Sequence, residues 1–330
     1  AYEIPKRDWS SDVCSSDLAL GKQLTSVTTS VGIAMLDGST AAQVLAGADF
    51  AMYEAKRSGR DAFVRHAVAT TGEPQKGRRY SSEFERLRHA IDEHRFALYG
   101  QPIVDLHRAN QITQYELLLR ILDENDRPMP PSSFLSVAER LGLISLIDSW
   151  VVEKAIHLIA EQARNGTYLT CHVNISGKSV GDPAVVEVID RTLKETNVNP
   201  AQLVFEVTET AAIANLEEAK AFAEQLRVRG CQFALDDFGT GFGSFYYLKH
   251  IPFDYLKIDG DFIRGFADNP TDTLAVEAIV SIAKGMGKKT VAEFVQSPLV
   301  AQRLKETGVN YAQGYQLGAP VPVTALFAHA

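Results

Sequence analysis

The sequence predicts an α/β fold in which strand–helix units close into a barrel. From about residue 96 to residue 315, eight strand-like runs are separated by longer stretches, most of them with helical period. About eight such units are typical of a β/α barrel. Polar side chains end most of these strands, as at the mouth of a barrel. The first 80 residues do not follow this plan and predict a smaller, separate segment.

Composition places few restrictions on the fold and more on the function. The chain has 330 residues, 45% of them hydrophobic, which favours two domains or one large barrel with a fragment. A net charge of −8 argues against binding to polymeric nucleic acid or to an anionic membrane. An acidic protein can still bind a phosphate diester if metal ions lie between its carboxylates and the ligand.

The cysteines and the hydropathy predict a cytoplasmic location. Cys14, Cys171 and Cys231 have neither a paired spacing nor a metal-ligand pattern, so we expect reduced thiols. No apolar run has the length of a membrane span, and we expect no membrane contact from this segment. A membrane anchor of the full-length protein would lie outside this sequence.

Residues 1–19 are predicted to be extraneous to the fold. Within them, residues 8–18 read DWSSDVCSSDL and fit neither a helical nor a strand period. The string equals one reading frame of a common sequencing-adapter oligonucleotide, which indicates a misassembled gene end. The alternative is a polar, Ser-rich linker. In either case the segment is excluded from the functional argument.

The next elements are short and end in a linker. Alternation predicts a strand over 24–35, helical spacing predicts a helix over 41–58, and a short strand follows near DAFVRH at 61–66. Residues 67–80 are polar, with Gly, Pro and basic side chains, and predict a linker. A new helix is expected from Ser82, which has capping-box spacing to Glu85.

The polar residues at the strand ends are the main functional signal. They are Asn174, Glu206, Glu209, Asp236, Asp237, Lys257, Asp259 and Glu293. Strand parity sets Asn174, Glu206 and Asp236 opposite the bulky apolar residues that would cover helices. Hard divalent cations would offset the cost of burying these acids together. From spacing alone, strand caps and salt bridges at the barrel rim are an equally good interpretation.

Residues 81 to about 325, within a predicted domain over 81–330, resemble the EAL-domain cyclic di-GMP phosphodiesterases. The matching pieces occur in order: QPI at 101, YELLLR at 115, FLSVAERLGLI at 134, VNIS at 173, FEVTET at 205, DDFGTGFGSFYYLKHIPFDYLKID at 236 and QGY at 313. The resemblance implies a modified (β/α)8 TIM-like barrel. It also implies hydrolysis of cyclic di-GMP to the linear dinucleotide pGpG, in bacterial second-messenger signalling, and it is compatible with a homodimer through this domain.

The resemblance implies two Mg²⁺ or Mn²⁺ ions. One ion would be held by Glu116, Asn174, Glu206 and Asp236, and the other, directly or through water, by Asp236, Asp237 and Glu293. Two cations roughly 3.5–4 Å apart can bind the scissile phosphate and activate a bridging water. Asp236 would bridge them and so set their separation.

Further roles follow from the same resemblance. Lys257 would contact the attacking water and the phosphate, although a salt bridge to the acids remains open as its role. Glu293 is the candidate general base, unless metal-activated water needs none. Arg120 would contact phosphate and Gln101 the substrate. Glu209 would anchor the glycine-rich loop that follows Asp237.

Residues 20–66 resemble the C-terminal part of a GGDEF (diguanylate cyclase) domain, through SVGIAM and ADFAMYEAKRSGRDAF. The nucleotide-binding and metal-binding part of such a domain is missing from this stretch. The resemblance therefore implies a partial α+β fragment without cyclase activity, and no cyclase site is carried over.

Several positions depart from the EAL pattern. Leu117 stands where the signature has alanine, Phe294 where a glycine is common, and Gln296 where a second acid is common. Ala319 lies where a basic residue is frequent. Phe294 and Gln296 could slow the reaction without removing a metal. A receptor that binds cyclic di-GMP without cutting it, and a scaffold without ligand, therefore stay open as alternatives to the enzyme.

Overall fold

The computed structural model describes residues 15–20, 23–28, 31–35, 44, 48, 51–52, 63–65, 90, 95–108, 112–123, 126–129, 131, 134–140, 142–239 and 247–327. The chain divides into two compact units, Ala1–Glu83 and Phe84–Ala330. The predicted linker over 67–80 and the predicted helix start at Ser82 lie outside the described residues. Each unit is described by itself.

The first unit contains two small pairs of strands. Strand β1 (Ser15–Leu20) is antiparallel to β2 (Gln23–Thr28), and β3 (Val31–Ile33) is parallel to β4 (Phe63–Arg65). The single strand predicted over 24–35 thus corresponds to two strands with different partners. Strand β1 includes the end of the segment 8–18, in which no strand period was found. The strand forms there through its pairing with β2, although the local sequence pattern does not indicate it. Residues 44, 48, 51 and 52 are helical, within the helix predicted over 41–58.

The second unit is a closed barrel of eight strands. They are β5 (Phe96–Asp105), β6 (Ile112–Leu122), β8 (Thr170–Asn174), β9 (Leu203–Thr208), β10 (Gln232–Phe238), β11 (Tyr255–Ile258), β12 (Lys289–Ala292) and β13 (Tyr311–Ala312). The short strands β7 (Pro128–Met129) and β14 (Val321–Pro322) flank β6 and β5. All eight predicted strands are present, and the pairing of β5 with β6 closes the barrel.

One strand runs against the others, so the barrel departs from an all-parallel (β/α)8 arrangement. Strand β5 is antiparallel to both β6 and β13, whereas β6 and β8 to β13 form parallel pairs in turn. Only residues 106–111 connect β5 to β6. A parallel crossover needs a dozen or more residues, so this connection can form only a hairpin.

Helices cover the outside of the barrel. They are α1 (Leu135–Arg140), α2 (Ile144–Arg164), α3 (Pro183–Thr196), α4 (Glu209–Ala214), α5 (Leu216–Val228), α6 (Gly260–Gly265), α7 (Pro270–Gly285), α8 (Pro298–Thr307) and α9 (Val323–Leu326). The side chains of Asp182, Asn269 and Ser297 accept hydrogen bonds from the first turns of α3, α7 and α8, which fixes where these helices begin. None of the helices in the described part of the chain is long and apolar enough to cross a membrane.

Two apolar layers follow from the alternation of the strands. Val173, Phe205 and Leu235 belong to the large core between the sheet and the helices. Val204 and Ala234, one residue away, belong to a smaller cluster inside the barrel. Successive side chains of a strand point to opposite faces. The residues of opposite parity, which include Glu206 and Asp236, are therefore directed to the barrel interior, as the sequence predicted.

Candidate metal and active site

Lys257 lies at the centre of the predicted acid cluster. Its side chain comes from β11 and is fully buried. Its Nζ atom lies 2.7 Å from Oε2 of Glu206, 2.8 Å from Oε1 of Glu293, 3.0 Å from Oδ1 of Asp236 and 3.5 Å from Oε2 of Glu116. These acids belong to four other parts of the barrel wall, on β9, after β12, on β10 and on β6. The structure thus brings together four acids and the lysine that the sequence singled out.

The electrostatics of this cluster are dominated by burial. Burial raises the pKa of Glu206 and of Glu293 well above the usual value, although Lys257 opposes the shift. Burial would lower the pKa of Lys257, but the surrounding carboxylates raise it well above its usual value. Lys257 is therefore a permanent cation, and without further positive charge part of the acid cluster retains protons.

Asp236 and Asp237 reach the same site because β10 is irregular there. Adjacent residues of a regular strand point to opposite faces, but the pairing of β10 with β11 shifts register between Leu235 and Phe238. Asp237 has φ of 51°, in the left-handed region. Oxygen atoms of Asp236, Asp237 and Glu293 consequently lie within 4.8 Å of one another, a grouping that could hold a metal ion.

The donor set fits hard divalent cations. The five carboxylates of Glu116, Glu206, Asp236, Asp237 and Glu293 exceed the one positive charge of Lys257 by about four, the charge of two divalent ions. Oδ1 of Asp236 is buried, and its contact among the described residues is the ion pair with Lys257 and not a well-directed hydrogen bond. Burial, together with Asp236 and Asp259, raises the pKa of Asp237 to about 6. Each observation indicates a cluster that gains from added cations.

Amide side chains surround Glu116. Asn174 Nδ2 donates to Oε1 of Glu116 at 2.7 Å, and Gln313 Nε2 donates to Oε2 at 2.6 Å. Burial would raise the pKa of Glu116, but Lys257 and these two amides lower it. Asn174 is exposed at the end of β8, whereas Glu116 is buried. The predicted pairing of Glu116 and Asn174 in one site is consistent with this contact.

Gln313 joins the predicted substrate residue Gln101 to the same cluster. Its Nε2 also donates to Oε1 of Gln101 at 2.9 Å, and Gln101 Nε2 donates to the carbonyl of Gly318 at 3.2 Å. Gln313 was not predicted as a site residue, although it directly follows β13 and so satisfies the strand-end rule. In the sequence it stood out only as part of the QGY motif.

His172 is completely buried inside the barrel. Its Nδ1 lies 2.7 Å from Oε1 of Glu206, and its Nε2 lies 3.0 Å from Oε1 of Gln114. Burial lowers the pKa of His172 to about 3, so the ring is neutral. His172 was not predicted as a site residue. Its parity, which it shares with Asn174, is the signal that could have revealed the contact.

Glu209 contacts both ends of the glycine-rich loop. Its Oε2 accepts the N–H of Gly239 at 2.7 Å, and its Oε1 accepts the hydroxyl of Tyr247. Residues 240–246, including Tyr246, lie outside the described residues. Tyr247 itself is buried and belongs to the large core between the sheet and the helices. These contacts support the predicted anchoring role of Glu209.

Arg120, the predicted phosphate contact, is half-buried and lies on β6. Its guanidinium carbon is 5.4 Å from the centre of the Tyr99 ring, and its Nη1 donates to the carbonyl of Leu119 at 2.9 Å. These contacts orient the side chain without involving the acid cluster, so its role toward phosphate stays a prediction.

The fold and the site define a class: an α/β barrel whose wall carries an acid cluster able to hold metal. A model of the EAL domain matches residues 85–320, and the chain therefore belongs to the EAL domain family.

Individual relatives agree with this assignment. The cyclic di-GMP phosphodiesterase PdeB of Shewanella oneidensis is 38% identical over 240 residues, which are 73% of this chain and 28% of the relative. The cyclic di-GMP phosphodiesterase PdeF of Escherichia coli is 36% identical over 238 residues, or 72% and 32%. The chain thus spans about a third of the length of these curated relatives.

Solved structures show the same barrel. The PaMucR phosphodiesterase in complex with c-di-GMP has a TM-score of 0.70 at 32% identity, over 74% of this chain and 100% of that one. The FimX EAL domain from Pseudomonas aeruginosa bound to c-di-GMP has a TM-score of 0.67 at 30% identity, over 72% and 96%.

Proposed function

We propose that this chain is a metal-dependent phosphodiesterase that hydrolyses cyclic di-GMP to the linear dinucleotide pGpG. The observation that carries the proposal is the convergence of Glu116, Glu206, Asp236 and Glu293 around the buried Nζ of Lys257. Membership in the EAL family and similarity to the cyclic di-GMP phosphodiesterases PdeB and PdeF support cyclic di-GMP as the substrate.

We assign to the metals the residues that the family resemblance implies. Glu116, Asn174, Glu206 and Asp236 would hold one ion, and Asp236, Asp237 and Glu293 the other. Oxygen ligands rich in carboxylate favour Mg²⁺ or Mn²⁺ over softer metals. When bound, the two ions supply positive charge for the scissile phosphate and lower the pKa of a water.

The protein's own groups orient the substrate and balance charge. Lys257 is fully buried among the acids and remains protonated, so it would stabilise the negative charge that develops on phosphate oxygens. Glu293, which lies beside Asp236 and Asp237, is the acid we assign as acceptor of the proton from water. Arg120 would bind a phosphate and Gln101 the ligand, the latter held by Gln313.

The domain boundaries belong to the same proposal: 1–19 extraneous, 20–66 a silent GGDEF fragment, 67–80 a linker and 81–330 the EAL domain. In support, the bifunctional diguanylate cyclase/cyclic di-GMP phosphodiesterase MucR of Pseudomonas aeruginosa is 32% identical over 305 residues, or 92% of this chain and 44% of the relative. A cytoplasmic location and a homodimer through the EAL domain complete the proposal.

The test is hydrolysis of cyclic di-GMP by the full chain, with Mg²⁺, with Mn²⁺ and with EDTA, and with pGpG measured by chromatography. We expect pGpG with either metal and none with EDTA. Glu116→Gln should abolish turnover, while Glu153→Gln, at a partly exposed ion pair on α2, should not. Binding of cyclic di-GMP without pGpG would overturn the enzyme in favour of the receptor.

A further inference from the structure

A cavity of about 340 Å³ opens at the end of the barrel opposite the acid cluster. It is lined by the first residues of five parallel strands: Thr170, Gln232, Tyr255, Lys289 and Tyr311. The acids of the candidate metal site gather at the other ends of these strands. In β/α barrels the end where the strands begin usually serves stability. The cavity there nevertheless has the volume of a small-molecule site.

Lys289 brings a positive charge to this cavity. Its Nζ lies 5.0 Å from the centre of the Tyr255 ring, 5.8 Å from that of the Tyr311 ring and 3.4 Å from the hydroxyl oxygen of Tyr255. These contacts orient the side chain without neutralising it. In the part of the chain that the structure describes, no carboxylate forms an ion pair with Lys289. An oriented cation beside an open cavity attracts an anion.

Asp105 does not compensate this charge, although it also lines the cavity. Its Oδ1 accepts the backbone N–H groups of His107 and Arg108 at 2.8 and 3.0 Å. Its Oδ2 lies 3.8 Å from Nε of Arg108, which is a second cation of the lining. Two cations therefore oppose one acid, and the acid is already occupied. The cavity is locally positive in a chain whose net charge is −8.

The remaining wall offers an aromatic face and a hydrogen-bonding group. Tyr168 lies at the rim and is 60% exposed. Gln114 is only 7% exposed, and one end of its amide contacts Nε2 of His172 at 3.0 Å. The other end has no hydrogen-bond partner among the described residues, and Gln114 lines the cavity. A buried amide group without a partner is costly, so a ligand in the cavity that bonds to it would gain affinity.

We propose that this cavity is a second binding site, which takes a small planar ring carrying one phosphate or carboxylate group. The anionic group would contact Nζ of Lys289, the ring would stack on Tyr168, and Gln114 would hydrogen-bond to the ligand. The site is separate from the candidate metal site, and the inference does not rest on the proposed function. The alternative is a solvated barrel end, which predicts no preference for a ligand that combines ring and charge.

The experiment compares four probes with the full chain in EDTA, which keeps metal from the acid cluster. AMP and benzoate carry a ring and an anionic group, adenosine carries the ring alone, and inorganic phosphate carries the charge alone. Binding is measured by NMR titration of each probe.

The variants remove one recognition element each. Lys289→Met removes the cation, Lys289→Arg keeps it, and Tyr168→Leu removes the exposed ring. Two matched controls lie outside the cavity lining. Lys288→Met removes a neighbouring lysine whose Nζ lies 5.3 Å from the centre of the Phe253 ring. Tyr315→Leu removes a tyrosine that is 75% exposed and follows β13 at the end of the barrel where the acids gather.

We expect AMP, benzoate or both to bind about tenfold more tightly than adenosine and inorganic phosphate, and the comparison of the two distinguishes phosphate from carboxylate. Lys289→Met should weaken this binding by about tenfold or more, the usual contribution of a hydrogen bond to a charged group. Tyr168→Leu should weaken it by about fivefold or more through lost stacking. Lys289→Arg and both controls should bind as wild type does. An unchanged melting temperature of Lys289→Met distinguishes lost binding from lost folding.

Three outcomes would overturn the site: AMP and benzoate that bind no more tightly than adenosine and inorganic phosphate, unchanged binding in Lys289→Met and Tyr168→Leu, or an equal loss in the two controls. No arm uses metal or cyclic di-GMP, so a failure of the proposed phosphodiesterase activity would leave this result intact.

Discussion

Oε1 of Glu206 lies 2.7 Å from Nδ1 of His172, inside a barrel where both side chains are completely buried. Gln114 occupies the other ring nitrogen, so the imidazole is held between two strands and fixes one oxygen of the carboxylate. The second oxygen of Glu206 accepts from Lys257. A carboxylate fixed at both oxygens keeps one geometry before any cation arrives, which is how outer contacts support metal sites.

Replacement of His172 should therefore weaken metal binding. We expect His172→Ala to lower the affinity for Mn²⁺ by about tenfold to a hundredfold, measured by titration calorimetry without substrate. Val173→Ala, on the neighbouring position of β8, leaves a cavity in the outer core but touches no ligand. It should reduce the unfolding free energy and leave the affinity unchanged. Wild-type affinity in His172→Ala would show that the ring only fills space.

The stability lost when Lys257 is replaced should depend strongly on whether metal is bound. Lys257→Met leaves the buried acids without their counter-charge, so we expect a loss of about 3–5 kcal/mol in urea unfolding with EDTA. Saturating Mn²⁺ should restore part of that loss because the cations neutralise the same acids. Arg191→Met breaks the partly exposed pair with Glu153 and should cost less than about 1 kcal/mol in either condition. An equal loss with and without Mn²⁺ would contradict a shared electrostatic role.

Gly260 and Phe294 should be energetically coupled. A Cβ at Gly260 would displace the Phe294 ring, so Gly260→Ala in the wild type should lower the free energy of unfolding. In the Phe294→Gly background the same change has nothing to displace and should have little further effect. A double-mutant cycle on the free energy of unfolding measures this coupling. Independent, additive effects would mean that Gly260 acts on α6 and not on the ring.

The sequence predicted the acid cluster because one rule covers most of its members. Parallel strands of a barrel end at the same mouth, so polar residues at those ends must converge. Position and parity singled out Glu206 and Asp236, and position singled out Glu293, although salt bridges at the barrel rim explained these residues equally well. Glu116 did not, because it lies within a long strand, and only the family resemblance pointed to it.

Other features needed the tertiary structure. The left-handed φ of Asp237 depends on a register shift against β11, which no periodicity in β10 reveals. The partners of His172 come from β6 and β9, far away in sequence, and a buried histidine in an apolar run has no pattern of its own. The strand β5 looked like any other unit, and its reversed direction follows from the length of the loop after it.

Asp148 should make the free energy of unfolding depend on pH, and the substitution Asp148→Asn should remove this dependence. It is buried on α2 and accepts the N–H of Ser176 at 2.9 Å. Burial raises its pKa to about 6, against hydrogen bonds from Ser179 and Ser176, and Glu139 adds to the shift. In the unfolded chain the pKa is about 3.9. The folded state therefore prefers the protonated form, and this stability is complete below about pH 4 and lost as the pH rises through about 6.

A shift of about two pH units corresponds to a loss of about 3 kcal/mol by pH 7. Asp148→Asn cannot ionise, so its unfolding free energy relative to wild type should rise by about that amount between pH 4 and pH 7 in urea titrations. Asp190 supplies a control of opposite sign, since its hydrogen bonds from Arg229 lower its pKa. Asp190→Asn should lose stability relative to wild type at pH 7, and less as the pH falls. A pH-independent difference between Asp148→Asn and wild type would mean that the pKa of Asp148 is the same in the folded and the unfolded chain, with the hydrogen bonds from Ser176 and Ser179 offsetting its burial.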